Sequence, residues 1–344
     1  MAQGLDGKAR VQLAPMADGG DDTLSCLKLS LGGMERPATV LDALGRPRQA
    51  AFLLLEGEGR AFVELACASG IAHIETLDAM GADTYGTGQL ISLAIEQGAR
   101  EVVITLGGSA STDGGVGALR ALGARFYDNR GTDIASGGSG LLTLAGIDLT
   151  VLRQRCRGVK FLVATDVVNP LLGENGAAAI FGPQKGATEQ QVALLDKALE
   201  QFADILETQL GLERSLRYIA GAGAAGGTGY GLSAVLGAEL VSGFAYLAAL
   251  SHLYEKLDWC DAVIIAEGAL DEQSLSGKGT GELMKLARAR GKRVWALPAV
   301  CRLSDQSSQL FDAIIATAGP DRQAQLSDIS RCAAELLIRA ERAI

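Results

Sequence analysis

The chain alternates short apolar runs with amphipathic stretches, a pattern typical of α/β proteins. The runs VVITL, FLVAT, AVIIA and VWALP are continuously apolar, as expected of parallel strands that are covered on both faces. The predicted strands are Val11–Ala14, Ala51–Leu55, Ala61–Leu65, Glu101–Leu106, Lys160–Ala164, Ala262–Ala266, Arg293–Leu297 and Ala313–Ala316. The predicted helices are Gly86–Gln97, Val116–Leu122, Glu189–Leu210, Gly231–Leu236, Gly281–Arg290 and Leu326–Ala340.

Shorter sequence signals add a turn, a helix start and a sheet type to this prediction. The segment AAFLLLEGEGRAFVEL predicts a β-hairpin whose turn lies at Glu56–Arg60. Thr188 precedes the longest amphipathic stretch and is a plausible N-cap. The last third alternates strands and helices in the manner of a doubly wound sheet. Such sheets bind ligands in the loops beyond the carboxyl ends of their strands.

Length and composition exclude several classes of protein. A chain of 344 residues corresponds to about two domains. The formal net charge of −9 argues against a nucleic-acid or anionic-membrane partner. No apolar run approaches the roughly 20 residues of a membrane span, and the start lacks the apolar region of a signal peptide, so a cytoplasmic location is expected. The six cysteines form no CxxC pair, and the two histidines make histidine-based hydrolysis or metal sites poor hypotheses.

Glycine is concentrated where predicted strands end and helices begin. Three such loops read LGGSASTDGGVG, GAGAAGGTGYG and AEGALDEQSLSGKGTGEL. Each is predicted to offer free backbone N–H groups at a helix start, where the helix dipole favours anions. Together they indicate phosphate handling. Neither a Walker A sequence nor a usable GxGxxG pattern is present, which disfavours P-loop and NAD-dependent enzymes.

Acidic residues follow the same strand ends. Asp18 stands in PMADGG, Asp113 in STDGG, and Asp166 directly after FLVAT, while Glu267 and Asp271 follow AVIIA. Carboxylates in these positions fit Mg²⁺ binding, hydroxyl activation, or both. Each one taken singly also fits an ordinary turn former.

Cations and hydroxyls accompany these acids. Lys185 and Lys278 lie in glycine-containing loops and could each meet a phosphate, although a solvated surface lysine is the favoured interpretation for Lys185. Ser109, Ser111 and Thr112 could donate to phosphate or carboxylate oxygens, or cap a helix. The residues alone therefore indicate an α/β enzyme of phosphoryl transfer and leave its substrate open.

Six motifs along the chain together resemble one family. They are PMADGG (15–20), TYGTGQLI (84–91), GGSASTDGG (107–115), NPLLGENGAAAIFGPQKGAT (169–188), GAGAAGGTGYG (221–231) and EGALDEQSLSGKG (267–279). They occur in the order seen in the bacterial glycerate kinase family, sometimes called type I, and the resemblance runs from about Val11 to the C-terminus. The resemblance implies phosphorylation of D-glycerate with ATP and Mg²⁺, with 2-phosphoglycerate as the favoured product.

The resemblance also implies an architecture. It predicts two α/β domains with the active site in the cleft between them. One is a doubly wound, Rossmann-like domain with a parallel sheet, built from both chain ends, here residues 1–36 and 256–344. The other is an inserted α/β domain, here residues 37–255. No nucleic-acid or membrane partner is implied; the substrate is D-glycerate or a related hydroxy acid.

Site residues follow from the matched motifs. Asp18, Asp166 and Asp271 are expected to do metal or base work, with Asp271 slightly favoured as the base and Asp18 and Asp166 as metal ligands. The expected substrate- and phosphate-binding residues are Gly107, Gly108, Ser109, Asp113, Asn169, Glu267 and Lys278.

The sequence departs from the family pattern in ways that bear on activity. The family usually opens with a strand and a loop reading approximately APDSFKGS, whereas this start resembles the middle of the helix that follows. Ala269 stands where the family usually has Arg, and Val168 where it usually has Asp. These departures predict reduced or absent kinase activity. They keep open a kinase-like protein with an altered hydroxy-acid substrate, and a catalytically silent nucleotide-binding homologue.

Overall fold

The structure, a computed structural model, describes residues 9–17, 19–20, 22–275, 279–318 and 325–341. The chain divides into two units, one comprising Met1–Met16 and Leu247–Ile344 and the other Ala17–Tyr246. The domain boundaries predicted from the resemblance, after residues 36 and 255, stay predictions. No helix in the described residues is long and apolar enough to cross a membrane.

The Ala17–Tyr246 unit is organised around a mixed sheet with the strand order β1-β2-β3-β4-β7-β8. β1, β2 and β3 pair antiparallel, and β3, β4, β7 and β8 run parallel. β2 and β3 form the predicted hairpin, with Leu53 opposite Phe62. The strands are β1 (Met34–Leu41), β2 (Pro47–Leu55), β3 (Arg60–Glu64), β4 (Glu101–Thr105), β5 (Arg125–Tyr127), β6 (Gly146–Asp148), β7 (Lys160–Ala164) and β8 (Glu239–Val241).

Helices cover this sheet and complete one large apolar core. Leu195, Leu199, Phe202 and Leu206 recur every three or four residues along α7, and all four are buried. Short 3₁₀ turns lie at Glu56–Glu58, Ile71–His73, Gly138–Thr143, Pro183–Lys185 and Arg214–Tyr218. The helices are α1 (Thr23–Leu31), α2 (Leu65–Ser69), α3 (Tyr85–Glu96), α4 (Val116–Ala121), α5 (Thr150–Arg155), α6 (Ala177–Phe181), α7 (Glu189–Leu210) and α8 (Ala224–Leu236), followed by α9 (Gly243–Leu250), which spans the unit boundary.

The unit that contains the C-terminal third is a parallel α/β structure. β9 (Ala262–Ile265), β11 (Arg293–Ala296) and β13 (Ala313–Ile314) form a parallel sheet with β11 in the centre. A second parallel pair joins β10 (Ala269–Leu270) to β12 (Val300–Cys301). The parallel strands predicted here are therefore confirmed. The helices are α10 (Leu253–Trp259), α11 (Glu272–Leu275), α12 (Gly279–Ala289), α13 (Asp305–Ser308) and α14 (Leu326–Glu341).

Most predicted elements are present, and one is not. Lys160–Ala164 and Glu189–Leu210 have the predicted bounds. The strand predicted at Val11–Ala14 is wrong, because this segment is irregular. Val11 and Leu13, two apolar residues of this segment, are 38 % and 63 % exposed and so line no buried sheet face.

Candidate functional site

The parallel strands of the Ala17–Tyr246 unit end in one row. The register places Glu64, Thr105 and Ala164 side by side at the carboxyl ends of β3, β4 and β7. The loops that follow β4 and β7 therefore leave the same edge of the sheet, where parallel α/β sheets bind their ligands. Most of the predicted site residues of this unit lie in these loops.

The first of these loops begins at Gly107, which packs directly on the PMADGG segment. The Gly107 N–H donates to Gly19 O at 2.9 Å, and a side chain at Gly107 would collide with Gly20. Glycine is therefore required at 107 by close backbone approach. Gly108 O accepts a hydrogen bond from Ile71 N at 2.8 Å. Asp18, which precedes Gly19 in sequence, lies outside the described residues.

The Asp113 carboxylate fixes the end of this loop through hydrogen bonds. Its carboxylate accepts hydrogen bonds from Thr84 N, Thr84 Oγ1, Gly115 N and Gly117 N at 2.8–3.2 Å, and it is 1 % exposed. The Ala118 N–H donates to Thr84 Oγ1 at 2.9 Å. The prediction of free N–H groups at the start of α4 is therefore wrong, because Asp113 and Thr84 occupy them. The expected contact of Asp113 with substrate or phosphate stays a prediction.

The second glycine-rich loop, residues 221–231, packs closely against the first. Gly114 N donates to Gly226 O at 3.0 Å, and a side chain at Gly226 would collide with the backbone of Ser111. The same crowding holds between Gly231 and Gly114 O. Three successive residues from Ala225 adopt left-handed backbone angles at this junction. The regular turns of α8 therefore begin after the break, near the Gly231–Leu236 helix that the sequence predicts.

Lys185 reaches into the same loop from the segment between α6 and α7. Its Nζ donates to Ser109 Oγ at 2.8 Å and to Ser111 O at 2.5 Å. Its side chain is buried, so the surface interpretation of Lys185 is wrong. Burial lowers the pKa of Lys185 to about 7, against the opposing attraction of Asp113. Sequence reasoning missed this role, although a lysine within FGPQKGAT was a signal.

The loop after β7 carries the predicted residues Asp166 and Asn169. The Asp166 carboxylate accepts hydrogen bonds from Ser242 Oγ and Phe244 N, both at 2.8 Å, and so caps the start of α9. Asn169 Nδ2 donates to Asn175 O at 2.9 Å, and Asn169 O accepts from Gly223 N at 3.0 Å. Both side chains are half-buried. This loop thus joins the second glycine-rich segment.

In the other unit, Ser274 brings two predicted acids together. Ser274 Oγ lies 3.1 Å from Glu267 Oε2 and 3.3 Å from Asp271 Oδ1. Asp271 Oδ1 also accepts from Ser274 N at 3.0 Å, while Asp271 N donates to Ser274 Oγ at 3.3 Å. These are the reciprocal bonds of a capping box, for which the DEQS spacing was the sequence signal. Lys278 lies outside the described residues.

Two clusters of predicted site residues thus exist, one in each unit. The first joins Gly107, Gly108, Ser109 and Asp113 with Lys185, and the second joins Glu267 with Asp271. Asp166 and Asn169 lie on the loop after β7, next to the first cluster in sheet order. The described residues contain no group of three or more His, Cys, Asp or Glu side chains that could hold a metal ion.

Comparison with known proteins gives one consistent family. The model of the Glycerate kinase family matches residues 1–344. The Escherichia coli (strain K12) glycerate 2-kinase is 42 % identical over 267 residues, which cover 77 % of this chain and 69 % of that protein. The Halalkalibacterium halodurans glycerate kinase is 40 % identical over 291 residues, covering 84 % and 76 %. A crystal structure assigned as glycerate kinase 2 from Salmonella typhimurium LT2 superposes with a TM-score of 0.84 at 34 % identity, covering 100 % of this chain and 93 % of that one.

Proposed function

Because this chain belongs to the glycerate kinase family and is a phosphotransferase, we propose that it transfers the γ-phosphoryl group of ATP to a hydroxyl of D-glycerate. The 2-hydroxyl is the favoured acceptor, so 2-phosphoglycerate would be the product. The observation that carries the proposal is the family match along the whole sequence. The carboxylates and glycine-rich loops that end the parallel strands support it, since phosphoryl transfer depends on positioning and charge neutralisation.

We propose Asp18 and Asp166 as the ligands of a Mg²⁺ ion. Mg²⁺ takes hard oxygen ligands and is commonly held by one or two carboxylates together with substrate phosphates. The half-buried Asp166 carboxylate at the end of β7 fits that donor chemistry. A bound Mg²⁺ would neutralise charge on the transferring phosphates. The cap that Asp166 makes on α9 fixes the carboxylate in place.

We assign the role of base to Asp271 and orienting roles to Ser109, Asn169 and Glu267. In the reaction, the substrate hydroxyl oxygen forms a bond to the γ-phosphorus, the bond to the β-phosphate oxygen breaks, and the hydroxyl proton passes to the Asp271 carboxylate. The capping box with Ser274 would hold that carboxylate in one orientation. Lys278 is proposed to contact phosphate as a point charge.

The test is ATP- and Mg²⁺-dependent turnover of D-glycerate by this chain. Enolase added alone distinguishes the products, because it consumes 2-phosphoglycerate and not 3-phosphoglycerate. A parallel panel of other small hydroxy acids tests the altered-substrate alternative suggested by Ala269 and Val168. Nucleotide binding without turnover of any acid would support the silent homologue instead. The same assay decides whether activity is reduced, as the sequence departures predict.

Variants test the residue roles. Asp166→Asn can keep both caps, its amide nitrogen donating to Ser242 Oγ and its oxygen accepting from Phe244 N. We expect it to lower kcat by about 100-fold or more and to raise the Mg²⁺ requirement. Asp271→Asn is expected to lower kcat similarly without changing the Mg²⁺ requirement. Asp258→Asn, at a carboxylate that is 72 % exposed, is the control and should retain activity.

A further inference from the structure

The ammonium group of Lys185 is a charge buried among neutral hydrogen-bond acceptors. Lys185 is 2 % exposed, and its two hydrogen-bond acceptors, Ser109 Oγ and Ser111 O, are both neutral. Within the described ranges of the chain, no carboxylate lies within salt-bridge distance of its Nζ. Burying an unpaired charge is costly, and either loss of the proton or the arrival of an anion relieves that cost.

Two neighbouring hydroxyls are also unsatisfied. Ser111 Oγ and Thr112 Oγ1 are buried and have no hydrogen-bond partner among the described residues. Each hydroxyl can donate one hydrogen bond, and leaving it unmade in a buried site costs free energy. Ser111 is the residue whose carbonyl accepts from Lys185, so the orphaned hydroxyls and the ammonium belong to the same stretch of loop.

We propose that Lys185, together with the hydroxyls of Ser111 and Thr112, binds the carboxylate group of the hydroxy-acid substrate. This assignment rests on the proposed function, because it names the group that recognises the acid. One cation and two hydroxyl donors match a single negative charge shared by two oxygens. Ser109, the predicted substrate residue, is 8 % exposed and is the member of this group nearest to solvent.

The surrounding charges favour a carboxylate over a phosphate chain. Asp113 acts electrostatically on both Lys185 and Asp83. Both of these carboxylates are buried. A polyphosphate would bring several negative charges towards them with only one lysine to offset the repulsion. A carboxylate brings one, which the ammonium balances.

The test compares wild type and Lys185→Met, each with D-glycerate and with glycerol. Lys185→Met removes the ammonium from a side chain of similar length, and glycerol offers the hydroxyls of glycerate without its carboxylate. We expect Lys185→Met to lower kcat/KM for D-glycerate by about 100-fold or more, to leave KM for ATP unchanged, and to have little effect with glycerol. Lys197→Met, at an exposed lysine of α7, is the matched control and should behave as wild type.

A second variant keeps the test decisive if Lys185→Met fails to fold. Thr112→Val removes an orphaned hydroxyl at nearly constant volume, so its Tm should equal or exceed that of wild type. Calorimetry should nevertheless show several-fold weaker binding of D-glycerate, and unchanged binding of a non-hydrolysable ATP analogue and of inorganic phosphate.

The results that would contradict the proposal can be distinguished from one another. Weakened binding of phosphate or of the ATP analogue, with glycerate binding intact, would assign the site to phosphate and overturn the proposal. Equal losses with glycerate and glycerol would indicate a purely structural lysine and would also overturn it. Wild-type protein that neither binds nor phosphorylates glycerate would instead defeat the proposed function, and this inference with it.

Discussion

Asp83 is a buried carboxylate held close to a second one. Burial and the negative charge of Asp113 raise the pKa of Asp83 to about 6, against the opposing hydrogen bond from Tyr85 N. The folded protein therefore binds a proton on Asp83 at pH values where the unfolded chain, with a pKa near 3.8, has released it. The contribution of Asp83 to stability thus falls as pH rises from about 4 to about 6 and stays unfavourable above.

Asp83→Asn should remove this penalty. The amide oxygen can still accept the hydrogen bond from Tyr85 N, which lies 2.9 Å from the Asp83 carboxylate. A pKa raised by about two units corresponds to roughly 3 kcal/mol, so the variant should gain up to about that much at pH 8. The gain should vanish near pH 4. Denaturant unfolding at both pH values measures it, with the exposed Asp133→Asn as control; an equal change at both pH values would contradict the assignment.

The residues that could be predicted from the sequence are those placed by strand ends. Asp166 and Asn169 lie in the loop that follows β7, so the run FLVAT alone predicted their place near the sheet edge. The burial of Lys185 was not predictable in this way, because it depends on Ser109 and Ser111, more than 70 residues earlier. The hydrogen bond from Thr84 to Asp113 is also non-local, at a separation of 29 residues. Contacts between distant loops decide which polar residue is buried, and no local pattern encodes them.

At the scale of elements, α7 is defined at its start by a capping box. Thr188 Oγ1 accepts from Gln191 N, and the Gln191 side chain accepts from Thr188 N. Thr188→Ala should destabilise the Ala17–Tyr246 unit by about 1 kcal/mol, as lost N-caps do. Chemical denaturation measures this loss. Gln191→Ala removes only the reciprocal bond and should cost less; an equal or larger loss would show that the threonine cap is not the dominant contact.

A buried ion pair ties the end of α7 to the 3₁₀ turn at Arg214–Tyr218. Arg217 and Glu207 are both buried, with Arg217 Nε donating to Glu207 Oε1 at 2.9 Å and Arg217 O accepting from Leu171 N at 2.9 Å. The turn therefore also holds the segment that follows Asn169. Because both charges are desolvated, the pair stabilises the fold only while it is complete.

Breaking this pair on one side should be severe. Arg217→Met removes the close ionic partner of the buried Glu207 carboxylate, leaving the exposed Arg214 guanidinium 4.0 Å away, and should cost about 3–5 kcal/mol. Arg217→Met with Glu207→Met removes both charges and should recover most of that loss. Arg153→Met, at an exposed arginine of α5, is the control and should change stability by less than about 0.5 kcal/mol. A double variant no more stable than Arg217→Met would contradict the explanation.

Elements were predictable where their burial is periodic. The stripe on α7 and the continuous apolar run of β7 each have one consistent period, and both elements have their predicted bounds. The break in α8 was not predictable, because its left-handed residues are imposed by the backbone of the facing loop, which Gly226 touches at Ser111. β1 was missed because its sequence, MERPATVL, contains a proline and two adjacent charged residues.

At the scale of the whole molecule, the carboxylates that we propose for the reaction are divided between the two units. Asp166 is capped onto α9 in one unit, and Asp271 is capped by Ser274 in the other. Each carboxylate is held by bonds within its own unit, so neither orientation depends on the other unit. The polar residues that follow the strands could be predicted from the sequence of each unit separately. That residues of both units act in one reaction stays a prediction, which the family resemblance alone implies.

Two of the departures from the family pattern, Val168 and Ala269, lie one in each unit and can be reversed. Val168 is 73 % exposed, and Ala269 is exposed on β10, so Val168→Asp and Ala269→Arg have room for their new side chains. If this chain is a glycerate kinase weakened by these changes, Ala269→Arg should raise kcat/KM for D-glycerate by about tenfold or more, because a guanidinium can bind a carboxylate or phosphate through two hydrogen bonds. Val168→Asp should give a smaller gain.

Steady-state kinetics with D-glycerate and with ATP would measure both effects, and Ala193→Arg on the exposed side of α7 controls for the added charge. A gain confined to another hydroxy acid would mean that the departures had changed substrate specificity. No gain with any acid, in variants that fold as wild type does, would mean that these positions do not limit activity. A gain from Ala269→Arg and none from Val168→Asp would show that activity is limited by position 269, which lies in the unit that carries Glu267 and Asp271.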